Sequence, residues 1–195
     1  VILAAGESAR MGSIKQLLPW KDTTLLGHVI NQGVASNVAS VFVVLGAHYD
    51  RIIDTITNSK ITVIKNRNWS SGMGSSIACA IDYIKKNNLY FDAILIALAD
   101  QPLIEFMYFN KLVNHFFDTD KNIVATQTKN RPGVPSIFSK EYFKILSELK
   151  NDIGAREIIN SHINDVYIEK IGGLNIDIDT EDTYKILYNK YGKSI

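Results

Sequence analysis

The sequence predicts an α/β fold in which helices cover both faces of a mostly parallel β-sheet. Four short runs are apolar at nearly every position, as strands buried on both faces should be: 1–4, 41–45, 61–64 and 93–98. Helical patterns separate these runs, and such alternation favours parallel strands joined by right-handed crossovers. The 195 residues contain no long linker, repeat or low-complexity tract, so one domain over residues 1–195 is expected.

The elements follow one another in a regular order up to residue 121 and less regularly afterwards. Helices are predicted between the strands at 25–35 with Thr24 as N-cap, 49–57, 75–86 and 105–117. Strands are then predicted at 123–126 and 134–138 around an Arg131-Pro132-Gly133 turn, with helices at 140–149 and 154–161. Late strands are predicted at 166–171 and 175–178, and a closing helix at 180–189 capped by Thr180.

Composition and charge exclude several classes of function. The chain has 21 basic and 20 acidic side chains, so it lacks the positive footprint of a protein that binds nucleic acid or an anionic membrane. No apolar run reaches the roughly 18 residues that cross a bilayer, and no signal peptide is recognisable. Cys79 is the one cysteine, which excludes an intrachain disulfide and fits a reducing compartment. A cytoplasmic protein without nucleic-acid or membrane partners is expected.

The loop after the first strand has the chemistry of a phosphate-binding segment. Small residues follow the strand and let backbone N–H groups approach a phosphate closely: Leu3, Ala4, Ala5 and Gly6. Arg10 can bind phosphate oxygens in a bidentate manner, and Lys15 adds a mobile point charge. The spacing differs from a Walker A loop, because five residues separate Gly6 from Gly12. A flexible surface loop with ordinary basic side chains is the alternative.

A second glycine-rich loop follows the third predicted strand. Gly72 and Gly74 flank Met73 and expose backbone groups, and Ser75 and Ser76 lie at the start of the next helix. A serine in that place is first of all a candidate N-cap, so the residues alone leave structural and binding roles open.

Three aspartates are candidates for a cation site. Asp100 follows an apolar parallel strand, where open α/β sheets bind ligands, and its carboxylate suits a hard cation such as Mg²⁺. Capping of the following helix is the alternative role. Asp177 and Asp179 share one face of an extended segment, an arrangement that is costly unless a cation or basic group lies between them.

Together these motifs resemble the molybdenum cofactor nucleotidyltransferases, a MobA-like family with a Rossmann-like, three-layer fold similar to that of nucleotide-sugar transferases. The string L-A-A-G-x-S-x-R-M-G-x-x-K-x-L-L-P carries the resemblance over residues 3–19. Ala5 favours the cytidylyl branch, since the guanylyl branch usually has L-A-G-G. The resemblance implies catalytic roles for Lys15, Arg10 and Asp100, and nucleotide binding by the first loop and by Gly72, Met73, Ser75 and Ser76.

The resemblance also implies a metal and an acceptor site. Mg²⁺ would be held by Asp100 and Asp179, the latter in a D-I-D-T-x-x-D motif where Glu181 replaces the usual Pro, and Asp177 is the alternative second ligand. Arg156, in an N-D-I-G-A-R segment where Asn151 replaces Gly, and Pro135, in P-G-V-P, would bind the acceptor. A surface role for Arg156 is the alternative, and Val134 replaces the common His, which leaves the acceptor's identity open.

The activity implied is transfer of CMP from CTP to molybdopterin with release of pyrophosphate, in the service of a molybdenum hydroxylase. Guanylyl transfer, or transfer to a sugar phosphate or polyol phosphate, is the enzymatic alternative. A noncatalytic nucleotide-binding or cofactor-delivery module is the alternative of another class.

Overall fold

A computed structural model describes residues 1–128 and 131–194. Its nine strands are β1 Ile2–Ala4, β2 Pro19–Trp20, β3 Thr23–Thr24, β4 Val41–Leu45, β5 Ile61–Lys65, β6 Ala93–Leu98, β7 Ile123–Gln127, β8 Pro132–Ser139 and β9 Val166–Lys170. Its seven α-helices are α1 Leu25–Ala35, α2 Tyr49–Ile53, α3 Met73–Lys86, α4 Phe106–Asp118, α5 Phe143–Ser147, α6 Ala155–Ser161 and α7 Glu181–Leu187.

Seven strands form one mixed sheet in the order β5-β4-β1-β6-β8-β7-β9. Strand β8 is antiparallel to both of its neighbours, and the remaining neighbours pair in parallel. Strands β2 and β3 form a separate hairpin. The prediction of a mostly parallel α/β sheet is therefore confirmed.

Helices cover both faces of the sheet because the strands are apolar on both faces. Ile2 and Ala4 of β1 pack with α1 and α2 on one side, whereas Leu3 packs with α3 on the other. Helix α4 packs against the sheet on the α1 side, and α5 and α6 pack on the α3 side. The buried core thus lies in two layers, one on each side of the sheet.

The chain order creates a crevice at the carboxyl ends of β1 and β6. The first crossover leads from β1 to β4 on one side, and β6 pairs with β1 on the other. The carboxyl ends of β1 and β6 therefore lie side by side at a switch in strand order, where open α/β sheets bind ligands. The loop after β1 and the residues after β6 both open into this crevice.

The two predicted helix caps are confirmed. The side chain of Thr24 accepts a hydrogen bond from the amide of Gly27, and that of Thr180 accepts one from the amide of Thr183. Each hydroxyl satisfies an amide that has no partner within the first turn of its helix.

The predicted strand at 175–178 is wrong, since these residues form no strand. They cross the end of β6 as an extended segment, in which the amide of Ile178 donates to the carbonyl of Asp100 at 2.9 Å. The Ile178 side chain is fully buried among Trp20, Leu25 and Leu187. The alternation of polar and apolar residues in this segment therefore reflects one buried isoleucine between two aspartates. It does not reflect pairing within a sheet.

Several boundaries also differ from the prediction. Pro132 and Gly133 already belong to β8, because Gly133 pairs with Thr126 across a bulge, so they are not turn residues. Helix α2 ends at Ile53, four residues early, and the predicted helix 140–149 divides into a 3₁₀ turn and the short α5. No helix in the described part of the chain is long and apolar enough to cross a membrane.

Candidate active site

A cavity of about 440 Å³ lies at the carboxyl ends of β1 and β6. Most of the residues predicted to bind nucleotide or metal line it together: Leu3, Ala4, Ala5, Gly6, Arg10, Lys15, Gly72, Met73, Ser76, Asp100 and Asp179. They come from four separate parts of the sequence. Three predicted residues lie outside this wall, namely Ser75, Pro135 and Arg156.

The first loop consists of two short 3₁₀ turns, Ala9–Met11 and Lys15–Leu17. Ser8 and Gly12, on either side of the first turn, both have left-handed backbones with φ of 62°. Of the two glycines in this loop, Gly12 has a positive φ and Gly6 does not. A Cβ at Gly6 would meet no atom within 4 Å, which leaves its backbone open to the cavity.

Gln16, which no sequence motif singles out, holds this loop in shape. Its side chain is 2% exposed, and its amide donates to the carbonyls of Ala4 at 3.0 Å and Gly6 at 2.9 Å. Its own oxygen accepts from the Ser8 hydroxyl at 3.1 Å, and that hydroxyl accepts from the Lys15 amide at 3.3 Å. A buried side chain thus joins both ends of the loop, although a Gln beside a Lys gives no sequence signal of such a role.

Lys15 lies between two of the aspartates. Its Nζ is 2.5 Å from Asp100 Oδ2, 3.2 Å from Asp179 Oδ1 and 3.5 Å from the carbonyl of Ile178. The guanidinium of Arg10 lies 3.1 Å from the other oxygen of Asp179, with its side chain largely exposed. Asp100 does not cap a helix, since Glu105 occupies the N-cap position of α4. The geometry therefore joins the predicted phosphate-binding cations to the predicted metal ligands.

The electrostatics of this cluster follow from burial and charge. Burial alone would lower the pKa of the Lys15 amine, but the charges and hydrogen bonds of Asp100 and Asp179 raise it above its ordinary value. Lys15 is therefore fully charged at neutral pH. Burial, followed by the charge of Asp100, raises the pKa of Asp177, although Gln101 donates to Asp177 Oδ1 at 2.7 Å. Asp177 and Asp179 both face the cavity, as their spacing predicted.

The second glycine-rich loop is packed against the turn at residues 150–153. Gly72 has φ of 96°, and a Cβ there would lie 2.3 Å from an Asp152 oxygen. The amide of Gly74 donates to the carbonyl of Asn151 at 3.0 Å. Only a residue without a side chain permits this approach, and Asp152 is brought to the cavity wall as a result.

The serines of this loop do not cap helix α3, whose N-cap position is Gly72. The amide of Asn66 donates to the hydroxyls of Ser75 at 2.9 Å and Ser76 at 3.0 Å. The Ser75 hydroxyl also contacts the carbonyls of Asn68 and Gly72. Ser75 therefore braces the loop from behind, whereas Ser76 reaches the cavity wall.

Comparison with known proteins decides the family. Residues 1–166 match the model of the MobA-like NTP transferase domain. The chain belongs to this family. It is a nucleotidyltransferase, and the resemblance drawn from its motifs is confirmed.

Two curated relatives differ in how much of this nucleotidyltransferase they match. The molybdenum cofactor cytidylyltransferase of Escherichia coli K12 is 25% identical over 194 residues, which cover 98% of this chain and 95% of that enzyme. The nicotine blue oxidoreductase of Paenarthrobacter nicotinovorans is 34% identical over 103 residues. That match covers 52% of this chain and spans about half the length of the relative, 48%.

Solved structures agree with this assignment of the fold. A homologue of Mycobacterium tuberculosis Rv0371c from Mycobacterium sp. strain JC1 has a TM-score of 0.82 at 28% identity, covering 97% of this chain and 94% of that one. Rv0371c of Mycobacterium tuberculosis H37Rv, solved in complex with manganese, has a TM-score of 0.78 at 22% identity and covers 96% of each chain.

Two departures of this nucleotidyltransferase from the family motifs have structural explanations. Asn151, where the motif has Gly, has φ of 57°, a left-handed conformation that Asn tolerates better than other residues with side chains. Glu181, where the motif has Pro, is the first residue of α7, a position that suits Pro. There its negative charge interacts favourably with the positive end of the helix dipole. Its carboxylate also forms an ion pair with Lys185 at 2.8 Å.

The predicted acceptor residues lie apart from the cavity wall. Pro135 is buried in β8, where its carbonyl accepts from the Thr126 hydroxyl at 2.6 Å. Arg156 is exposed on α6, and its guanidinium lies beside Gly133, where a Cβ would be 3.6 Å from Nε. Segment 133–135 and Arg156 thus adjoin each other on the β8 side of the protein, with Val134 between Gly133 and Pro135.

Proposed function

We propose that this nucleotidyltransferase is a magnesium-dependent CTP:molybdopterin cytidylyltransferase that releases pyrophosphate. The observation that carries the proposal is the convergence of Lys15, Arg10, Asp100 and Asp179 on one cavity beside the amides of the first loop. Cations and amides suit a triphosphate, and the carboxylates suit a divalent ion. Together they support phosphoryl chemistry rather than phosphate binding alone.

The donor set fits a divalent metal that is completed by substrate. Asp100 Oδ1 is buried without a hydrogen-bond partner among the described residues, and carboxylate oxygens are the ligands that Mg²⁺ prefers. Residues 1–128 and 131–194 contain no group of three or more His, Cys, Asp or Glu side chains placed to hold a metal. Asp100 and Asp179 would therefore share the ion with phosphate oxygens. The manganese complex of the mycobacterial relative agrees with divalent metal use.

The reaction requires no protein nucleophile. A phosphate oxygen of the acceptor attacks the α-phosphorus of CTP in line, the bond to the bridging oxygen breaks, and pyrophosphate leaves. Arg10, Lys15 and the first-loop amides hold the triphosphate and stabilise the charge that develops. Bound Mg²⁺ would neutralise charge on the α-phosphate and the leaving group.

Residues around the triphosphate site support places for the base and the acceptor. Gly72, Met73 and Ser76 line the cavity beside Ala5, which supports a place for the base there. The exposed Arg156 supports binding of an acceptor phosphate next to Pro135. The near full-length likeness to the Escherichia coli molybdenum cofactor cytidylyltransferase supports molybdopterin as acceptor. A cytoplasmic setting and delivery of the product to a molybdenum hydroxylase complete the proposal.

A pyrophosphate-release assay tests the activity. The purified chain is incubated with Mg²⁺ and each of CTP, GTP, UTP and ATP, against molybdopterin, a sugar phosphate and a polyol phosphate. We expect release with CTP and molybdopterin, and none from Asp100→Asn. Release only with GTP, or only with another acceptor, would assign the alternative transferase. Tight CTP binding without turnover on any acceptor would assign a binding or delivery module.

Lys15→Ala tests the assigned role of the lysine. Turnover is expected to fall by on the order of 100-fold or more, by analogy with the loss of one preorganised donor to a developing charge. Lys140→Ala is the matched control, because Lys140 pairs with Asp92 on the surface away from the cavity. Turnover and KM of Lys15→Ala both within a few-fold of wild type would contradict the role.

A further inference from the structure

The position of Lys15 between two aspartates has a consequence beyond phosphate binding. An ammonium group has three hydrogen-bond donors, and three protein oxygens surround Nζ: Asp100 Oδ2, Asp179 Oδ1 and the Ile178 carbonyl. The Lys15 side chain is 15% exposed, so solvent contributes little to this arrangement. These oxygens are also the type of ligand that a hard divalent cation takes.

We infer that Lys15 is an internal counter-ion that occupies the place of the metal until nucleotide binds. The inference rests on the proposed function for the identity of the metal site. A divalent ion that bridged Asp100 and Asp179 would compete with the ammonium for Asp179 Oδ1, even if it took Asp100 Oδ1, and it would be repelled by the ammonium charge. Metal binding therefore requires the side chain of Lys15 to leave.

The surrounding structure allows this exchange without movement of the loop. The backbone of Lys15 is fixed through the Ser8 hydroxyl and the buried Gln16, so only the flexible four-carbon side chain has to turn. Its new partners would be phosphate oxygens in the same cavity, which the first loop lines. Arg10 pairs with Asp179 Oδ2 through a largely exposed side chain, so it can turn to the triphosphate at low cost.

Two consequences follow from the exchange. Metal alone binds weakly, because it must displace a well-paired ammonium group that gains no new partner. Metal with nucleotide binds well, because the phosphates receive the displaced lysine. The lysine thereby couples the two ligands and keeps the carboxylates from binding a divalent ion without substrate.

Titration with Mn²⁺ alone, followed by electron paramagnetic resonance, tests the inference without any measurement of activity. Lys15→Met removes the charge and keeps the length of the side chain, and we expect it to bind Mn²⁺ at least about tenfold more tightly than wild type. Lys15→Arg keeps the charge and should bind as weakly as wild type. Lys140→Met, on the surface, should also match wild type.

The outcomes separate the inference from the proposed function. Equal Mn²⁺ affinity of wild type and Lys15→Met, with binding still abolished by Asp100→Asn, would overturn the inference alone. Binding that Asp100→Asn leaves intact would place the metal elsewhere and overturn both. If Lys15→Met is unstable because its aspartates repel each other, Mn²⁺ should raise its melting temperature more than that of wild type. Equal shifts would count against the inference.

Discussion

Gln16→Met would remove the hydrogen bonds that hold the first loop while keeping the size of the side chain. The amide of Gln16 donates to the carbonyls of Ala4 and Gly6, and its oxygen accepts from Ser8. Methionine replaces none of these bonds. Because the side chain is 2% exposed, water cannot easily take its place.

The expected loss of stability follows from the groups left without partners. Each buried polar group without a partner costs about 1–3 kcal/mol. The Ala4 carbonyl is buried and bears the full cost, whereas the exposed Gly6 can be rehydrated in part. We therefore expect the free energy of unfolding to fall by about 2–4 kcal/mol. For a chain of this size that corresponds to a drop in melting temperature of about 5–15 °C.

Denaturant titration and calorimetry measure this loss. Gln32→Met is the matched control, since Gln32 makes a peripheral hydrogen bond to the amide of Phe106 and should change stability by less than about 1 kcal/mol. Gln16→Met should also weaken nucleotide binding, because Ser8 and the Lys15 amide lose their support. A melting temperature within about 2 °C of wild type would refute the view that Gln16 holds the loop.

Substitutions at three further positions test other parts of the structure. Gly72→Ala should lower the free energy of unfolding, measured by denaturant titration, by about 2 kcal/mol or more. The reason is that φ of 96° strains an L-residue and that the added methyl group would clash with Asp152. An unchanged free energy of unfolding would contradict the close approach of Gly72 to Asp152. Asn151→Gly should lower the free energy of unfolding by less than about 1 kcal/mol and Asn151→Val by clearly more, because φ of Asn151 is 57°. Equal losses of free energy of unfolding would be evidence against the left-handed turn. Asp177→Asn, without metal, should raise the melting temperature at pH 7 and not at about pH 4. Burial, and then the charge of Asp100, raise the pKa of Asp177 in the folded state. The unfolded chain therefore loses this proton at a lower pH than the folded chain does. The free energy of unfolding falls as the pH rises from the ordinary carboxyl range through the raised pKa. An equal gain at both pH values would refute this explanation.

The parts of the fold that follow from local pattern could be predicted. Strands β1, β4, β5 and β6 are apolar on both faces, so burial by two helical layers was predictable from residue type alone. The caps at Thr24 and Thr180 were also predictable from residue type, because a threonine hydroxyl just before a helix can accept a hydrogen bond from a free amide of the first turn. The candidate residues at the ends of β1 and β6 follow from parallel order.

Contacts between distant segments could not be predicted from pattern. The alternation at 175–178 is equally compatible with a strand and with a segment that buries Ile178 between two cavity aspartates. Only the position of this segment over β6, fixed by the Ile178 amide and the Asp100 carbonyl, decided between them. Likewise Gly72 and Asn151 are far apart in sequence, and their tight packing depends on both backbones together.

By itself the sequence determined the α/β class, the family and most of the residues at the cavity, because residue type and spacing act within short segments. The tertiary structure decided how those residues pair. It placed Lys15 between Asp100 and Asp179, and it buried Gln16 where its amide holds the first loop. These pairings depend on where β1, β6 and the late extended segment meet in space, and a charge or an amide in a sequence does not show which partner it will face.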